Sequence, residues 1–223
     1  IAAVAHDGGV PLHVDGARFF NAVVALGVTP SELAAPADSV TFCLSKALAC
    51  PAGSVVVGGR EFIARARRAR KLLGGGMRQA GILAAAGLIA LRDGDAGMIA
   101  RLAEDHRTAR RLAEELSSIP GVRSPGDIAQ PGDDDRLDPG RVTTNFVLFR
   151  VAGDRSAFIA AARERGVLLD RYPHGQIRAA THLGVGEADV PRIAAAVRDA
   201  LAASSGGRGI ADDRAADRVA VSS

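Results

Sequence analysis

The stretches PLHVDGARFF (residues 11–20) and SVTFCLSKAL (residues 39–48) decide the fold. Pro11 to Asp15 reads as a short strand, Val40 to Leu44 as a second, and Ser54 to Gly58 (SVVVG) as a third. All three are brief and apolar, the pattern of strands buried on both faces of a sheet. Asp15 closes the first strand and Lys46 stands just beyond the second. Open α/β sheets place ligands at the carboxyl ends of their strands, so both residues are candidates for chemistry. Each also has a plainer reading: Asp15 as the N-cap of the segment that follows, Lys46 as a surface lysine on a loop.

Before these strands, Ile1 to His6 reads as the tail of a helix, with Gly8 and Gly9 as its turn, so the true N-terminus is expected upstream. After them, Arg60 to Leu73 reads as a helix with a heavily basic face, ended by Gly74, Gly75 and Gly76. Arg78 to Leu91 reads as a small-residue apolar helix suited to close packing. Ala96 to Leu116 carries Ile99, Leu102, His106, Ala109 and Leu112 at helical spacing, and Pro120-Gly121 ends it. Ser124 to Gly140 is rich in Pro, Gly and Asp and reads as an exposed loop. A compact α/β run follows: strand Thr144 to Val151, helix Ser156 to Arg165, strands Val167 to Leu169 and Gln176 to Ala180, and helix Glu187 to Ala203. From Ser204 the composition predicts a disordered tail.

Composition narrows the function classes. The 223 residues are 48% hydrophobic, enough for one sizeable core or for part of a larger domain plus a smaller one. Aromatics are 4% with no Trp, which argues against a base-stacking nucleic-acid surface. The net charge is only +3, and acids such as Glu104, Asp105, Glu114 and Glu115 interleave with the bases, so no polyanionic partner is expected. Cys43 and Cys50 fit neither a disulfide framework nor a zinc pattern, so a reducing, cytoplasmic setting is expected. The longest apolar run, Ala80 to Leu91, is too short to span a bilayer, and no secretory signal opens the chain. His6, His13, His106, His174 and His182 show no metal spacing, and no metal is expected. His13, two before Asp15 on the same strand face, reads as a core histidine or as an orienter of Asp15. His106 reads as packing.

Of the 28 basic residues, only Lys46 and Lys71 are lysine. A chain that uses arginine nearly everywhere keeps an amine where a guanidinium fails, because only an amine can deprotonate and form an imine. Burial of a lysine as a cation is costly, which favours the reactive neutral amine. Together, Asp15 and Lys46 form the pair that pyridoxal phosphate (PLP) needs: an amine for its aldehyde, and a carboxylate that keeps its ring nitrogen protonated. A charge-assisted hydrogen bond of that kind contributes about 1.5–3 kcal/mol.

The stretches PLHVDGARFFNAVVALG (11–27), ADSVTFCLSKAL (37–48) and RKLLGGGMRQAGILAAAGLIAL (70–91) resemble the low-specificity threonine aldolases of the β-eliminating lyase group. The run LGGGMRQAG (73–81) is the most specific part, and the likeness covers nearly all of residues 1–200. The resemblance implies the C-terminal part of a fold type I (aspartate aminotransferase-like) PLP-binding large domain over 1–95 and a small C-terminal α/β domain over 96–203, with the tail at 204–223. It implies cleavage of L-threonine or L-allo-threonine, a small-molecule amino acid substrate, to glycine and an aldehyde. It also implies a homotetramer, a dimer of close dimers sharing active sites between subunits.

Residue by residue, the resemblance implies that Lys46 is the Schiff-base lysine and Asp15 the partner of the ring nitrogen. It also implies that Arg18 lies near the cofactor and the substrate carboxylate and that Lys71 and Arg78 reach the cofactor phosphate of a neighbouring subunit; Arg78 reads equally as an N-terminal helix residue satisfying a dimer contact. The resemblance further implies that Arg178 clamps the substrate carboxylate, with a strand-edge surface arginine as its plainer reading. The chain departs from the pattern at Ala47, where the family usually has Gly after the lysine. It also lacks the family's first part, which supplies a phosphate-cradling turn, a ring-stacking histidine and half of the sheet, so an N-terminally truncated chain is expected. The same residues would serve another fold type I lyase or a racemase, or persist in an inactive fragment.

Overall fold

A computed structural model describes residues 1–92, 97–126 and 135–204. The chain divides into two compact units, Ile1–Ala103 and Glu104–Ser223. The domain boundary expected at residue 95 lies outside the described residues; of the tail expected over 204–223, Ser204 closes a helix and the rest lies outside them.

The first unit contains α1 (Ala2–Asp7), β1 (His13–Asp15), α2 (Phe19–Leu26), α3 (Pro30–Ala34), β2 (Ser39–Cys43), β3 (Ser54–Gly58), α4 (Arg60–Leu72) and α5 (Gly81–Ala90). Its sheet has the order β1-β2-β3. Strands β1 and β2 are parallel, with Asp15 opposite Thr41, and β3 returns antiparallel to β2. Helix α3 is not among the expected elements, and helix α2 follows Asp15 but starts after Arg18. Helix α2 places Phe19, Phe20 and Val23 in the core, where Phe20 meets Phe19 and Phe42 edge to face at 5.5 and 5.1 Å. Such pairs add about 0.5–1.5 kcal/mol beyond their burial. Helix α3 starts at a capping box: Glu32 N–H donates to Thr29 Oγ1, and Thr29 N–H donates to the Glu32 carboxylate at 2.7 Å.

The expectation that all three strands are buried on both faces fails. Only β2, with Val40 and Phe42 in the core, is covered; β1 and β3 stay largely exposed, and Val56 and Val57 are each 42% exposed. A three-stranded sheet with few helices packed on it lacks the material to cover both faces.

Helix α6 (Met98–Ser117) carries the chain from one unit to the next, and its Leu102 belongs to the core of the first. The second unit continues with β4 (Val122–Arg123), β5 (Phe146–Val151), α7 (Arg155–Glu164), β6 (Asp170–Arg171), β7 (Ile177–Ala180) and α8 (Val190–Ser204). Its sheet has the order β4-β5-β7-β6 and is antiparallel throughout. One sheet face carries Val147, Phe149 and Ile177, all fully buried, in one core with Phe158 of α7 and Val197 of α8. The expected strand at Val167–Leu169 is instead at Asp170–Arg171. The α7 exit turn still occupies Gly166 and Val167, whose N–H groups bond back to Arg163 and Ala162.

Candidate active site

Asp15 and Lys46 come to the same end of the parallel pair. Past Asp15, Gly16 N–H donates to the Thr41 carbonyl at 2.7 Å, and Cys43 N–H donates to the Ala17 carbonyl, so the β1 and β2 exits run side by side. Asp15 is not a helix N-cap: α2 begins after Arg18. Its side chain is exposed, and among the described residues it has no hydrogen-bond or ion-pair partner. His13 is also exposed rather than core. Its Nδ1 meets Ser39 Oγ at 2.8 Å and its Nε2 meets Thr41 Oγ1 at 3.2 Å, so it braces β1 on β2 and does not orient Asp15.

Lys46 projects from a turn pinned on both sides. Leu44 N–H bonds to the Gly53 carbonyl, Cys50 N–H to the Leu44 carbonyl, and Ala49 N–H to the Lys46 carbonyl. Leu44, Ala47, Leu48 and Cys50 anchor the turn in the core, and a Cβ on Gly87 of α5 would lie 3.0 Å from Leu44. Lys46 itself is exposed, so the burial expected for it is absent from this chain. Burial pushes the Cys50 thiol up, away from the thiolate form that reacts. The departure at Ala47 causes no backbone strain. The residue in the left-handed region is Ala49, at φ 56°.

Lys71 and Arg78 flank the glycine run after α4. Both are exposed, and a Cβ on Gly76 would lie 3.6 Å from the Lys71 ammonium. Arg18, at the start of α2, is half-buried.

In the second unit, Arg178 lies on β7, an inner strand, which rules out the strand-edge reading. Its Nη2 donates to Asp170 Oδ2 at 2.6 Å, and its guanidinium sits 5.1 Å from the Phe146 ring centroid and 5.4 Å from that of Tyr172. Those three partners were not foreseen, because they depend on strand register. A polar network ties down the strand's exit: Thr181 Oγ1 donates to the Asp105 carbonyl at 2.6 Å, and Asn145 Nδ2 donates to the Thr181 carbonyl at 2.9 Å.

Among the described residues no group of His, Cys, Asp and Glu could hold a metal ion, and no helix is long and apolar enough to cross a membrane.

Against known proteins, residues 1–130 match the family described as Beta-eliminating lyase. The chain is 40% identical over 195 residues to low-specificity L-threonine aldolase 1 of Arabidopsis thaliana, covering 85% of this chain and 49% of that one. It is 43% identical over 192 residues to the low specificity L-threonine aldolase of Escherichia coli, covering 86% and 51%. The chain thus spans about half the length of the curated relatives it matches. A candidate L-allo-threonine aldolase structure from Listeria monocytogenes superposes with a TM-score of 0.65 at 20% identity, over 90% of this chain and 55% of that one. That likeness shows the fold, the α/β architecture of fold type I PLP-dependent enzymes. With the family match over more than half of the chain, the assignment is direct: the chain belongs to the beta-eliminating lyase family, a family of PLP-dependent lyases, and its similarity runs to the threonine aldolases.

Proposed function

We propose that the protein cleaves L-threonine and L-allo-threonine to glycine and acetaldehyde with PLP as cofactor. The observation that supports this most is the placement of Asp15 and Lys46 at one end of the parallel pair β1–β2, in a chain similar to threonine aldolases. The donor set fits the cofactor. Among the described residues, Asp15 and Lys46 have no hydrogen-bond or ion-pair partner in the protein, and Lys71 and Arg78 are cations beside the Gly74–Gly76 run in the same state. Bound there, PLP supplies an aldehyde for an amine and an electron sink for the bond that breaks.

In this reading Lys46 would be the amine that holds the cofactor aldehyde. Asp15 keeps a proton on the ring nitrogen. Arg18 and Arg178 hold the substrate carboxylate, a task suited to a guanidinium's paired donors. Lys71 and Arg78 serve the phosphate of a neighbouring subunit. An assembly of copies would also cover the apolar side chains of Leu72, Leu73, Met77, Ile82 and Leu88, which are 55–87% exposed in the single chain. Two free cysteines support a reducing, cytoplasmic setting.

The test is the full-length protein with PLP. The cofactor's visible band should shift on Lys46 imine formation and be lost in Lys46→Ala, with glycine formed from threonine only by the unsubstituted protein. A band that survives Lys46→Ala overturns the cofactor assignment. A Lys46-dependent band without glycine leaves another fold type I lyase or a racemase in its place.

A further inference from the structure

The second unit holds Arg178 in a built cage. Strand register sets it: Arg178 stands directly opposite Asp170 on β6 and Leu148 on β5. Phe146 and Tyr172 lie two residues from those positions, on the same sheet face, because side chains alternate along a strand. The opposite face, with Val147, Phe149 and Ile177, is sealed against α7 and α8. Asp170 takes one terminal nitrogen at 2.6 Å, and both rings lie within cation–π range of the guanidinium. Nη1 has no hydrogen-bond partner among the described residues, and Nε is buried without one. One donor is spent on fixing the group, and others are left over.

The hairpin that carries Asp170 and Tyr172 is itself stapled. Its turn passes through His174 at φ 60° and Gly175 at φ 75°. Tyr172 N–H bonds to the Gln176 carbonyl at 2.9 Å. Buried Arg155 of α7 donates to the carbonyls of Tyr172 at 3.0 Å and Gln176 at 3.3 Å. The cage walls are therefore fixed to the sheet before any ligand arrives.

We propose that Asp170 and Tyr172 are positioning residues that hold Arg178 ready to bind the carboxylate of an amino acid. This rests on the carboxylate-binding reading of Arg178 given above. Asp170 could instead compete with the ligand, since it is itself a carboxylate. Exposure decides between the two. The Asp170 side chain is 64% exposed and that of Arg178 only 27%, so water screens the repulsion that Asp170 exerts on an incoming anion. Restriction of the guanidinium's rotamers is not screened, and it lowers the ordering cost of binding.

The test measures binding of glycine, and of glycinamide as a ligand lacking the carboxylate, to the full-length PLP-loaded protein. Four variants are compared: Arg178→Gln, Asp170→Asn, Tyr172→Leu and Asp170→Asn/Arg178→Gln. Arg178→Gln should weaken glycine about a hundredfold, and Asp170→Asn about tenfold. Tyr172→Leu should weaken it severalfold. Glycinamide should be unmoved throughout, and Asp170→Asn should add nothing once Arg178 is gone. For threonine, Asp170→Asn should raise KM more than it lowers kcat. If Arg178→Gln weakens glycine while Asp170→Asn leaves it unchanged or tightens it, Asp170 is a competitor or a bystander and the inference falls, with the Arg178 reading intact. Equal weakening of glycine and glycinamide by Asp170→Asn means a general structural effect and also overturns it. If Arg178→Gln leaves glycine unchanged, the reading beneath falls, and the inference with it.

Discussion

The two units bury their apolar residues very differently. In the second, Val147, Phe149, Phe158 and Ile177 are fully buried between one sheet face and two helices. In the first, Leu72, Leu73, Met77, Ile82 and Leu88 stand exposed at the end of α4, in the connection that follows it and along α5, although α5 is almost wholly apolar. A helix that is apolar all round normally lies inside a large protein. The second unit thus stabilises itself, whereas the first presents a surface that suits a further layer. The candidate residues of each unit differ in the same way. Arg178 has all its walls within its own unit, while Asp15, Lys46, Lys71 and Arg78 are placed by theirs but not enclosed by it.

The sharpest way to break this comparison is to truncate one large side chain in each unit. Phe149→Ala removes a ring that is fully buried and set edge to face against Phe158 at 6.4 Å. It should lower stability by about 3–5 kcal/mol in urea unfolding. Leu73→Ala, at a site 87% exposed, should change the stability of the isolated chain by less than about 0.5 kcal/mol. Its effect should emerge in sedimentation of the full-length protein, as a shift towards smaller species. If Leu73→Ala costs the isolated chain as much as Phe149→Ala, the first unit is not open as described.

How far the sequence spoke also differs between the units. Strand β3 and helices α4 and α6 follow from apolar spacing and glycine punctuation, with boundaries within a few residues of those observed. Helix α3 had a readable signal, the Thr29-Pro30-Ser31-Glu32 capping box, that apolar periodicity does not detect. The Val167–Leu169 segment reads as a strand on β propensity, yet the sheet uses Asp170 and Arg171, where a polar cross-strand partner for Arg178 is available. The strand ends bearing Asp15 and Lys46 were legible because apolar runs stop there. Their exposure was not, since burial depends on what lies against a strand and not on the strand alone. The Arg178 cage was hidden for another reason: it is made by register between three strands, and a single sequence does not state register.

A smaller effect tests how firmly the first unit holds its lysine. Ala49 closes the Lys46 turn with φ 56°, a conformation that costs a side-chain-bearing residue about 1–2 kcal/mol. Glycine removes that strain but adds about 0.5–1 kcal/mol of chain entropy in the unfolded state. Ala49→Gly should therefore stabilise by about 0.5–1 kcal/mol. Ala47→Gly, at the position where the chain departs from its family, should destabilise by about 1 kcal/mol, since Ala47 is buried and has no positive φ to relieve. Reversal of the two signs in urea titrations would mean that the strain sits directly after the lysine.

The smallest effect separates the units by pH. In the second, burial lowers the pKa of His106 on α6, partly opposed by the charge of Asp105. The unfolded chain then binds a proton more readily than the folded one in the window below the ordinary histidine value of about 6.5. Stability from His106 is therefore complete above that value and declines as pH falls towards the folded-state value, below which nothing more is lost. In the first unit, the N–H of Leu12 and the ring of His6 hold the Asp38 carboxyl below its usual range. Its contribution is present above the ordinary carboxylate value and is lost at more acid pH, as protonation passes through the lowered one. An acid titration of stability should thus show a His106 step first and an Asp38 step later. His106→Gln should flatten only the first, and Asp38→Asn only the second. The Asp38 side chain is 49% exposed and screened by water, so its step should be the shallower of the two; a deeper Asp38 step would mean that the end of the first unit's sheet is enclosed after all.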